Sequence, residues 1–265
     1  MTDTDSQKVG LITGGVGDIG FACAQKMAEQ GLSVALMDRV TQEQAAPQLE
    51  MLRAKTHVLY LQTDVSDRQQ VDGALDDLWH EFSGLDVAMC NAAIVIDRPF
   101  IDITIDQWQQ HLDINLTGYF NVSQAVARRW VNAGERGKMI FTGSWVQDVP
   151  YKLIAPYCVA KAGAWMLARC AAMELAPNGI TVNVVAPGIV DAGLSKQEME
   201  EAPGLRSEYE RIIPLESLQT PQDVADVVGF LISSASNYVT GASILCDGGC
   251  TVGCASAPSD GSSDE

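Results

Sequence analysis

Short apolar segments alternate with longer segments of helical periodicity along nearly the whole chain, and this alternation limits the fold more than any other feature. The apolar segments predict strands at residues 8–13, 33–38, 57–61, 85–90, 138–142, 180–185 and 243–246. Because these segments are apolar on both faces, they are typical of a parallel sheet that helices cover on both sides. We therefore predict an α/β protein, a single doubly wound (Rossmann) domain with a mostly parallel seven-stranded sheet.

The intervening segments predict the helices, at residues 19–30, 43–55, 67–82, 105–133, 155–176 and 221–233. No linker divides the chain, so we expect one domain over residues 1–254. Residues 188–214 interrupt the alternation after the carboxyl end of a strand, where such sheets bind ligands, and are predicted to form a lid. The acidic tail, residues 255–265, is rich in Ser, Asp and Gly and is expected to be disordered.

The charge of the chain argues against one class of partner. Its 265 residues include 17 Lys and Arg against 34 Asp and Glu, a formal net charge of −17. Nucleic acid binding requires clustered cations, so no nucleic-acid partner is expected. There is no apolar run of membrane-spanning length and no secretory signal, so we expect a soluble, cytoplasmic protein without a membrane partner.

The seven cysteines predict reduced thiols rather than disulfides. Their number is odd and most lie within apolar segments, as expected in a cytosol. Cys246, Cys250 and Cys254 recur every four residues, but neither a CxxC pair nor a histidine lies near them. No metal site is therefore predicted.

A glycine-rich turn, residues 13–20, joins the first predicted strand to the first predicted helix. Its glycines allow a tight turn and the close approach of a pyrophosphate to the backbone. The start of the helix adds N–H groups and the positive end of the helix dipole. The residues predicted to contact the cofactor here are Gly14, Gly15, Gly17, Asp18 and Ile19.

Asp38 ends the second predicted strand, at the position that faces the adenosine ribose in this fold. A carboxylate there accepts hydrogen bonds from the ribose hydroxyls and repels a 2′-phosphate, which favours NAD over NADP. The neighbouring Arg39 leaves NADP open, because a guanidinium can bind that phosphate.

Tyr157 and Lys161 stand at positions i and i+4, on one face of a predicted helix. A neighbouring ammonium favours the ionised phenol, so Lys161 is expected to lower the pKa of Tyr157. Tyr157 would then act as the base in alcohol oxidation and as the acid in carbonyl reduction. Ser144, which ends a strand shortly before, is predicted to orient the substrate oxygen.

With these residues in place, the chain resembles the short-chain dehydrogenases/reductases over residues 8–253. The resemblance implies an NAD-dependent oxidoreductase that transfers a hydride between the nicotinamide and a secondary alcohol or a carbonyl carbon. The motifs that carry it are the turn 13–20, Asp64-Val65, Asn91-Ala92-Ala93, Asn115, Ser144, Tyr157 with Lys161, Pro187-Gly188 and Asp247-Gly248-Gly249.

The resemblance implies further roles. Asn115 would hold a water that links Lys161 to solvent as a proton relay, and Lys161 would also bind the nicotinamide ribose. Asp64 and Val65 would contact the adenine. The other residues expected around the cofactor are Asn91, Ala92, Tyr157, Pro187, Gly188 and Val190.

Two positions depart from the family pattern. Asp18 stands where the glycine-rich turn usually has another glycine, and it could cap the first helix or be turned away from the pyrophosphate. Asp191 and Ala192 stand where the family often has a threonine that contacts the carboxamide.

The stretch from Ser144 to Leu153 is similar to that of glucose-type sugar dehydrogenases, so a sugar or polyol is the expected substrate. The residues predicted to bind it are Ser144, Trp145, Gln147, Lys152 and Tyr157. The polar side chain of Gln147 would form hydrogen bonds with a hydroxylated substrate. Lys152, or Arg206 or Arg211 from the lid, would bind an anionic group if the sugar carries one.

Two other functions stay open. Trp145, Trp165 and Met199 fit a ketoreductase acting on acyl, steroid or other hydrophobic carbonyls. A catalytically inactive nucleotide sensor is the alternative of another class, although Ser144, Tyr157 and Lys161 argue against it. The resemblance also implies a homotetramer, with interfaces at residues 105–133, 155–176 and the C-terminal segment.

Overall fold

The computed structural model describes residues 7–202 and 204–253. Its seven strands are β1 (Val9–Thr13), β2 (Ser33–Asp38), β3 (Val58–Gln62), β4 (Val87–Cys90), β5 (Lys138–Thr142), β6 (Thr181–Pro187) and β7 (Ser243–Cys246). They form one sheet in the order β3-β2-β1-β4-β5-β6-β7, and all pairings between these strands are parallel. The predicted doubly wound seven-stranded sheet is therefore confirmed.

The helices are α1 (Asp18–Glu29), α2 (Gln42–Arg53), α3 (Arg68–Phe82), α4 (Ile105–Leu112), α5 (Gly118–Ala133), α6 (Ala155–Leu175), α7 (Gly193–Glu201), α8 (Leu205–Ile212), α9 (Pro221–Ile232) and α10 (Cys250–Gly253). Helices α3, α5 and α6 pack one core against the sheet, and α1, α2 and α9 pack a second core against its other face. Both faces are therefore covered, which explains why the strands are apolar throughout.

The strand order reverses between β1 and β4, because the chain passes outward from β1 to β3 and then returns to the other side of β1. In a parallel sheet, this reversal opens a crevice at the carboxyl ends of the two strands. The glycine-rich turn follows β1 and Asn91 follows β4, so both lie at that crevice.

The chain is helical throughout the predicted range 105–133, but the helix is not uniformly α-helical. A π-helical turn, Asp113–Thr117, separates α4 from α5. Within it, Asn115 is fully buried, and its amide group donates to the carbonyl of Ile94 and accepts from the N–H of Ile94, both at 2.8 Å. A π-helical turn widens a helix locally and is frequent at functional sites. Helical periodicity alone does not reveal it.

The predicted lid, residues 188–214, contains α7 and α8, with residue 203 undescribed. The acidic tail and Cys254 lie outside the described residues. Within the described part of the chain, no helix is long and apolar enough to cross a membrane. The same part has no group of three or more His, Cys, Asp and Glu side chains arranged to hold a metal ion.

Trp130 of α5 forms a buried hydrogen bond with the segment that precedes β4. Its side chain is completely buried, and its indole N–H donates to the carbonyl of Leu85 at 2.6 Å. Trp130→Phe should lower the free energy of unfolding by about 2–3 kcal/mol, because it leaves a cavity and an unpaired carbonyl. Urea denaturation measures this loss. Trp108→Phe on α4, where the ring is partly exposed, should change stability by less than about 1 kcal/mol.

Candidate active site

A cleft of about 960 Å³ runs along the carboxyl ends of the strands. Of the residues that the sequence predicted for the site, those that line the cleft are Gly14, Gly17, Asp18, Ile19, Asp38, Arg39, Asp64, Val65, Asn91, Ala92, Ser144, Trp145, Lys152, Tyr157, Lys161, Pro187, Gly188 and Val190. Gly15, Asn115 and Gln147 do not line it. The fold thus gathers segments that are distant in sequence at one edge of the sheet.

The glycine-rich turn forms a cradle that side chains would fill. Gly14 has a φ of +63°, a conformation that favours glycine. A Cβ on Gly20 would overlap the carbonyl oxygen of Gly14, and one on Gly15 would lie 2.7 Å from Leu36 Cδ2. This crowding explains why glycine is needed beneath the turn. The residues present therefore fit the pyrophosphate of a dinucleotide.

Hydrogen bonds of Asn91 and Thr13 connect the glycine-rich turn to the end of β4, at the centre of the sheet. Thr13 Oγ1 accepts hydrogen bonds from the backbone N–H groups of Asn91 and Ala92, at 2.8 and 3.0 Å. The Asn91 amide donates to the carbonyls of Thr13 and Gly14, at 3.1 and 3.2 Å. Asn91 therefore positions the cofactor turn as well as lining the cleft.

Asp38 is held at the end of β2 by backbone N–H groups. Its two carboxylate oxygens accept from Val16 N at 3.2 Å and from Val40 N at 3.4 Å. This fixes the carboxylate beside the glycine-rich turn, in the lining of the cleft. Arg39 also lines the cleft, but its side chain is exposed.

Asp18 does not cap α1, contrary to one of our two expectations. Gly17 is the N-cap residue, and Asp18 is the first residue inside the helix. Its Oδ2 instead accepts a hydrogen bond from the backbone N–H of Gly193, at 2.9 Å. The carboxylate is thus directed to the start of α7, and it links the glycine-rich turn to the predicted lid.

Three side chains with acid–base chemistry meet at the centre of the cleft. Ser144 follows β5, while Tyr157 and Lys161 occupy successive turns of α6. Tyr157 forms a hydrogen bond with Ser144, and its half-buried ring lies in the lining of the cleft. The Lys161 Nζ lies 5.4 Å from the centre of the Tyr157 ring. The arrangement can exchange a proton with a hydroxyl or carbonyl oxygen that reaches Ser144 and Tyr157.

Burial has the largest effect on the pKa values of Tyr157 and Lys161. It raises the pKa of Tyr157 to about 12, with the Ser144 hydrogen bond opposing the rise. It lowers the pKa of Lys161 to about 7. Desolvation disfavours the charged form of either group. The expected lowering of the Tyr157 pKa by Lys161 is therefore not found in this structure, where burial has the largest effect on that pKa.

Asn115 is buried behind the cleft rather than in its lining. Both ends of its amide bind the backbone of Ile94, as described above, and thereby hold the loop that follows β4. Its role in a proton relay stays a prediction.

The structure corrects part of the predicted substrate site. Gln147 is turned away from the cleft, because the short helical turn Trp145–Gln147 directs its amide to the Ser243 hydroxyl at 2.9 Å. Arg206 and Arg211 do not line the cleft either, and Arg206 forms an ion pair with Asp191 at 2.6 Å. Lys152 does line it, as does the buried Trp145.

Sequence reasoning missed four side chains at the substrate end of the cleft. Asp97, Tyr151, Glu198 and Tyr209 all line it. The Glu198 carboxyl faces that of Asp97 and accepts from the Tyr209 hydroxyl at 3.4 Å. Burial and Asp97 raise the pKa of Glu198 to about 7. Only the fold of the lid brings these residues together, so no local motif could have revealed them.

Comparison with known proteins agrees with the fold and identifies the family. A family model described as enoyl-(acyl carrier protein) reductase matches residues 15–251. The chain belongs to the short-chain dehydrogenase/reductase family, whose members are oxidoreductases that bind a nicotinamide cofactor. The resemblance inferred from the sequence motifs is thereby confirmed.

Similar proteins act on several kinds of alcohol. L-2,3-Butanediol dehydrogenase of Corynebacterium glutamicum is 34% identical over 252 residues, which cover 91% of this chain and 98% of that protein. 3β-Hydroxysteroid dehydrogenase 1 of Eggerthella lenta is 31% identical over 253 residues, covering 95% and 97%. A gluconate 5-dehydrogenase from Burkholderia cenocepacia, solved with NADP and tartrate, has a TM-score of 0.87 at 29% identity, covering 92% and 95%.

Gly20→Ala should weaken cofactor binding, because the new methyl group would push the Gly14 carbonyl out of the turn. We expect at least about a tenfold higher Kd for the preferred nicotinamide dinucleotide, as the turn must shift to relieve the overlap. Calorimetric titration measures it. Gly73→Ala is the matched control, because nothing lies within 4 Å of a Cβ there. An unchanged Kd in Gly20→Ala would contradict the described geometry.

Proposed function

We propose that this protein is an NAD-dependent dehydrogenase of a sugar, polyol or small diol that carries no negative charge. The observation that carries the proposal is the grouping of Ser144, Tyr157 and Lys161 in a cleft that also contains the glycine-rich cradle. When bound, the nicotinamide supplies the hydride acceptor or donor. The chain's own groups orient the substrate oxygen and move its proton.

In oxidation, Ser144 holds the substrate hydroxyl beside Tyr157, which takes the hydroxyl proton on its phenolic oxygen. In reduction, the same phenol returns a proton to the carbonyl oxygen. Lys161, when charged, favours the ionised form of Tyr157 and would also bind the nicotinamide ribose. The buried Trp145 lines the cleft beside Ser144.

The choice of NAD over NADP rests on Asp38. Its carboxylate is held beside the turn by two backbone N–H groups and would meet the 2′-hydroxyl of the adenosine ribose. A 2′-phosphate at that point would be repelled. Arg39 supports the alternative, as does the NADP found in the gluconate 5-dehydrogenase from Burkholderia cenocepacia.

The substrate end of the cleft favours an uncharged, hydroxylated molecule. No donor among the described residues reaches the buried Oδ1 of Asp97, which faces the carboxyl of Glu198. Such oxygens can accept hydrogen bonds from substrate hydroxyls, and they repel a carboxylate or phosphate. Lys152 is the one cation from our predicted anion-binding set that lines this cleft. The diol substrate of the butanediol dehydrogenase is of the favoured class.

A ketoreductase acting on hydrophobic carbonyls is the second candidate. Ile94, Val95 and Leu153 line the cleft beside Trp145, and one relative is a 3β-hydroxysteroid dehydrogenase. An inactive sensor is disfavoured because Ser144, Tyr157 and Lys161 are all present at the cleft.

We also propose a cytoplasmic homotetramer. Large apolar side chains on the expected interface helices are exposed, including Ile105 of α4, Val131 of α5 and Met173 of α6. Leu245 and Val252 are exposed near the end of the described chain. Association of these faces would bury them.

Tyr157→Phe tests the reaction. Purified protein is assayed with NAD and with NADP against neutral polyols and diols, sugar acids and steroid or acyl ketones, by absorbance of the reduced nicotinamide. We expect NAD-linked turnover of a neutral polyol or diol, with kcat falling by about 10³-fold in Tyr157→Phe. Tyr238→Phe removes a hydroxyl from a fully exposed side chain and should leave kcat unchanged.

Turnover only on hydrophobic ketones would move the assignment to the ketoreductase. Cofactor binding without any turnover would support the sensor. Faster turnover with NADP than with NAD would overturn the role given to Asp38.

Glu198→Gln tests the substrate class. It removes a negative charge from the cleft while keeping a hydrogen-bond donor for Asp97. Because the pKa of Glu198 is about 7, the wild-type carboxyl is mostly ionised at pH 8. At pH 8 the ratio of kcat/KM for a sugar acid to that for its neutral polyol should therefore rise about tenfold. The gain should shrink at pH 6, where the wild-type group is protonated.

Glu208→Gln is the control for this prediction. It removes the same charge from an exposed position on α8 outside the cleft, and it should leave the ratio unchanged. An equal effect of both variants would show that only the overall charge matters.

A further inference from the structure

The ammonium group of Lys161 is held by two oxygen atoms behind the cleft. Its Nζ donates to the Thr142 carbonyl at 2.7 Å and to the Tyr119 hydroxyl at 2.9 Å. Lys161 is 1% exposed and so is Tyr119, so neither contact is shared with bulk water. An ammonium has three N–H donors, and the third is left for the cleft.

The direction of the Tyr119 hydrogen bonds is determined by the Thr142 carbonyl. The Tyr119 hydroxyl donates its single proton to that carbonyl, at 3.0 Å. Its lone pairs therefore face Lys161 and can only accept. Burial holds the pKa of Tyr119 well above its usual range, so the hydroxyl stays neutral. The ring packs edge-on against Phe141, with centroids 5.3 Å apart, which prevents it from turning away.

The other groups around Lys161 do not supply such an acceptor. Tyr157 lies on the same helix, and among the described residues Cys90 of β4 is another titratable group near the amine, which by itself raises the pKa of Lys161. The Cys90 thiol is directed at the Tyr119 carbonyl, and burial raises its pKa to about 12. Tyr119 of α5 and Thr142 of β5 are therefore the oxygen atoms that stabilise the charged form of this amine.

We propose that Tyr119 is a positioning residue that keeps Lys161 protonated and directed toward Tyr157. The consequences of this inference for catalysis rest on the proposed function. The effect of Tyr119 on the pKa of Lys161 can be measured without any turnover. Tyr119 stands four residues after Asn115, beyond the π-helical turn. Asn115 lies within the widened turn and binds the loop after β4, whereas Tyr119 lies beyond it and binds Lys161.

Loss of the Tyr119 hydroxyl would change the pKa values of Lys161 and Tyr157 in opposite directions. Lys161 would lose one of its two acceptors, so its charged form would become less stable and its pKa would fall. Tyr157 would then face a neutral amine at neutral pH, so its pKa would rise. Oxidation begins with the ionised Tyr157, so the pH at which oxidation reaches its full rate should rise.

Tyr119→Phe tests this consequence, because it removes the oxygen and keeps the ring 4.9 Å from the Lys161 Nζ. We expect the ascending limb of the pH profile of kcat/KM for oxidation to move up by about one pH unit. Oxidation at pH 7, on the ascending limb, should therefore fall about tenfold. A pH profile that does not move would overturn the proposal.

Trp130→Phe is the control for a general loss of stability. Trp130 is a buried aromatic residue of the same helix as Tyr119. Its indole N–H donates to the Leu85 carbonyl and not to a group that contacts Lys161. The substitution should lower stability without moving the pH profile. A comparable movement in both variants would assign the effect to loosening of α5 and would also overturn the proposal.

Nuclear magnetic resonance of the protein without cofactor tests the effect on Lys161 directly. With ¹³C at the lysine Cε, the signal missing from Lys161→Met identifies Lys161. Its pKa should be about one unit lower in Tyr119→Phe than in the wild type. An unchanged pKa refutes the proposal, whether or not the protein turns over any alcohol.

A wild-type measurement covers the case in which Tyr119→Phe does not fold. The ¹³Cζ signal of Tyr119 should shift at the pH where Lys161 titrates, because the hydroxyl then loses its charged donor. A Tyr119 signal that does not change through that titration would refute the proposal.

Discussion

A continuous set of hydrogen bonds across the centre of the sheet joins the glycine-rich turn to Lys161, and the geometry of the candidate site depends on it. The Asn91 amide donates to the Gly14 carbonyl, and the Thr142 hydroxyl donates to Asn91 Oδ1 at 3.0 Å. The Thr142 carbonyl then accepts from Lys161. Because β1, β4 and β5 are adjacent and parallel, these groups emerge at the same edge. The strand order therefore sets the spacing between the phosphate cradle and the proton-transfer group.

The same burial that orders the site also makes its charges costly. Lys161 and Tyr157 are removed from water, and the pKa of each moves in the direction that favours its neutral form. Hydrogen bonds with neutral oxygen atoms offset part of the free-energy cost of burying these charges. The Ser144 hydroxyl forms such a bond with Tyr157. Thr142 and Tyr119 accept hydrogen bonds from Lys161. At the other end of the cleft, the Glu198 carboxyl faces that of Asp97, and burial together with this neighbour raises the pKa of Glu198 to about 7.

The details that the sequence did not predict share a cause. Gln147 was expected to bind substrate because it follows Ser144 in a polar stretch, but its amide binds Ser243, nearly a hundred residues further along the chain. For Asp18 the sequence left two arrangements open, and the hydrogen bond from Gly193 in the predicted lid agrees with the second, a carboxylate turned away from the turn. The helix over residues 105–133 was predicted, but the π-helical turn within it was not. In each case contacts between distant segments accompany the detail that was missed.

The sequence by itself determined the sheet and the glycine-rich turn, and it indicated Ser144, Tyr157 and Lys161 as the candidate catalytic residues. These follow from local patterns: apolar runs, glycines at a strand–helix junction and an i, i+4 pair on one helix face. Only the tertiary structure decided that Tyr119 supports Lys161 and that Asp97 meets Glu198. Their partners lie 42 and 101 positions away, and which side chains meet over such separations depends on strand order and helix packing, which no local pattern encodes.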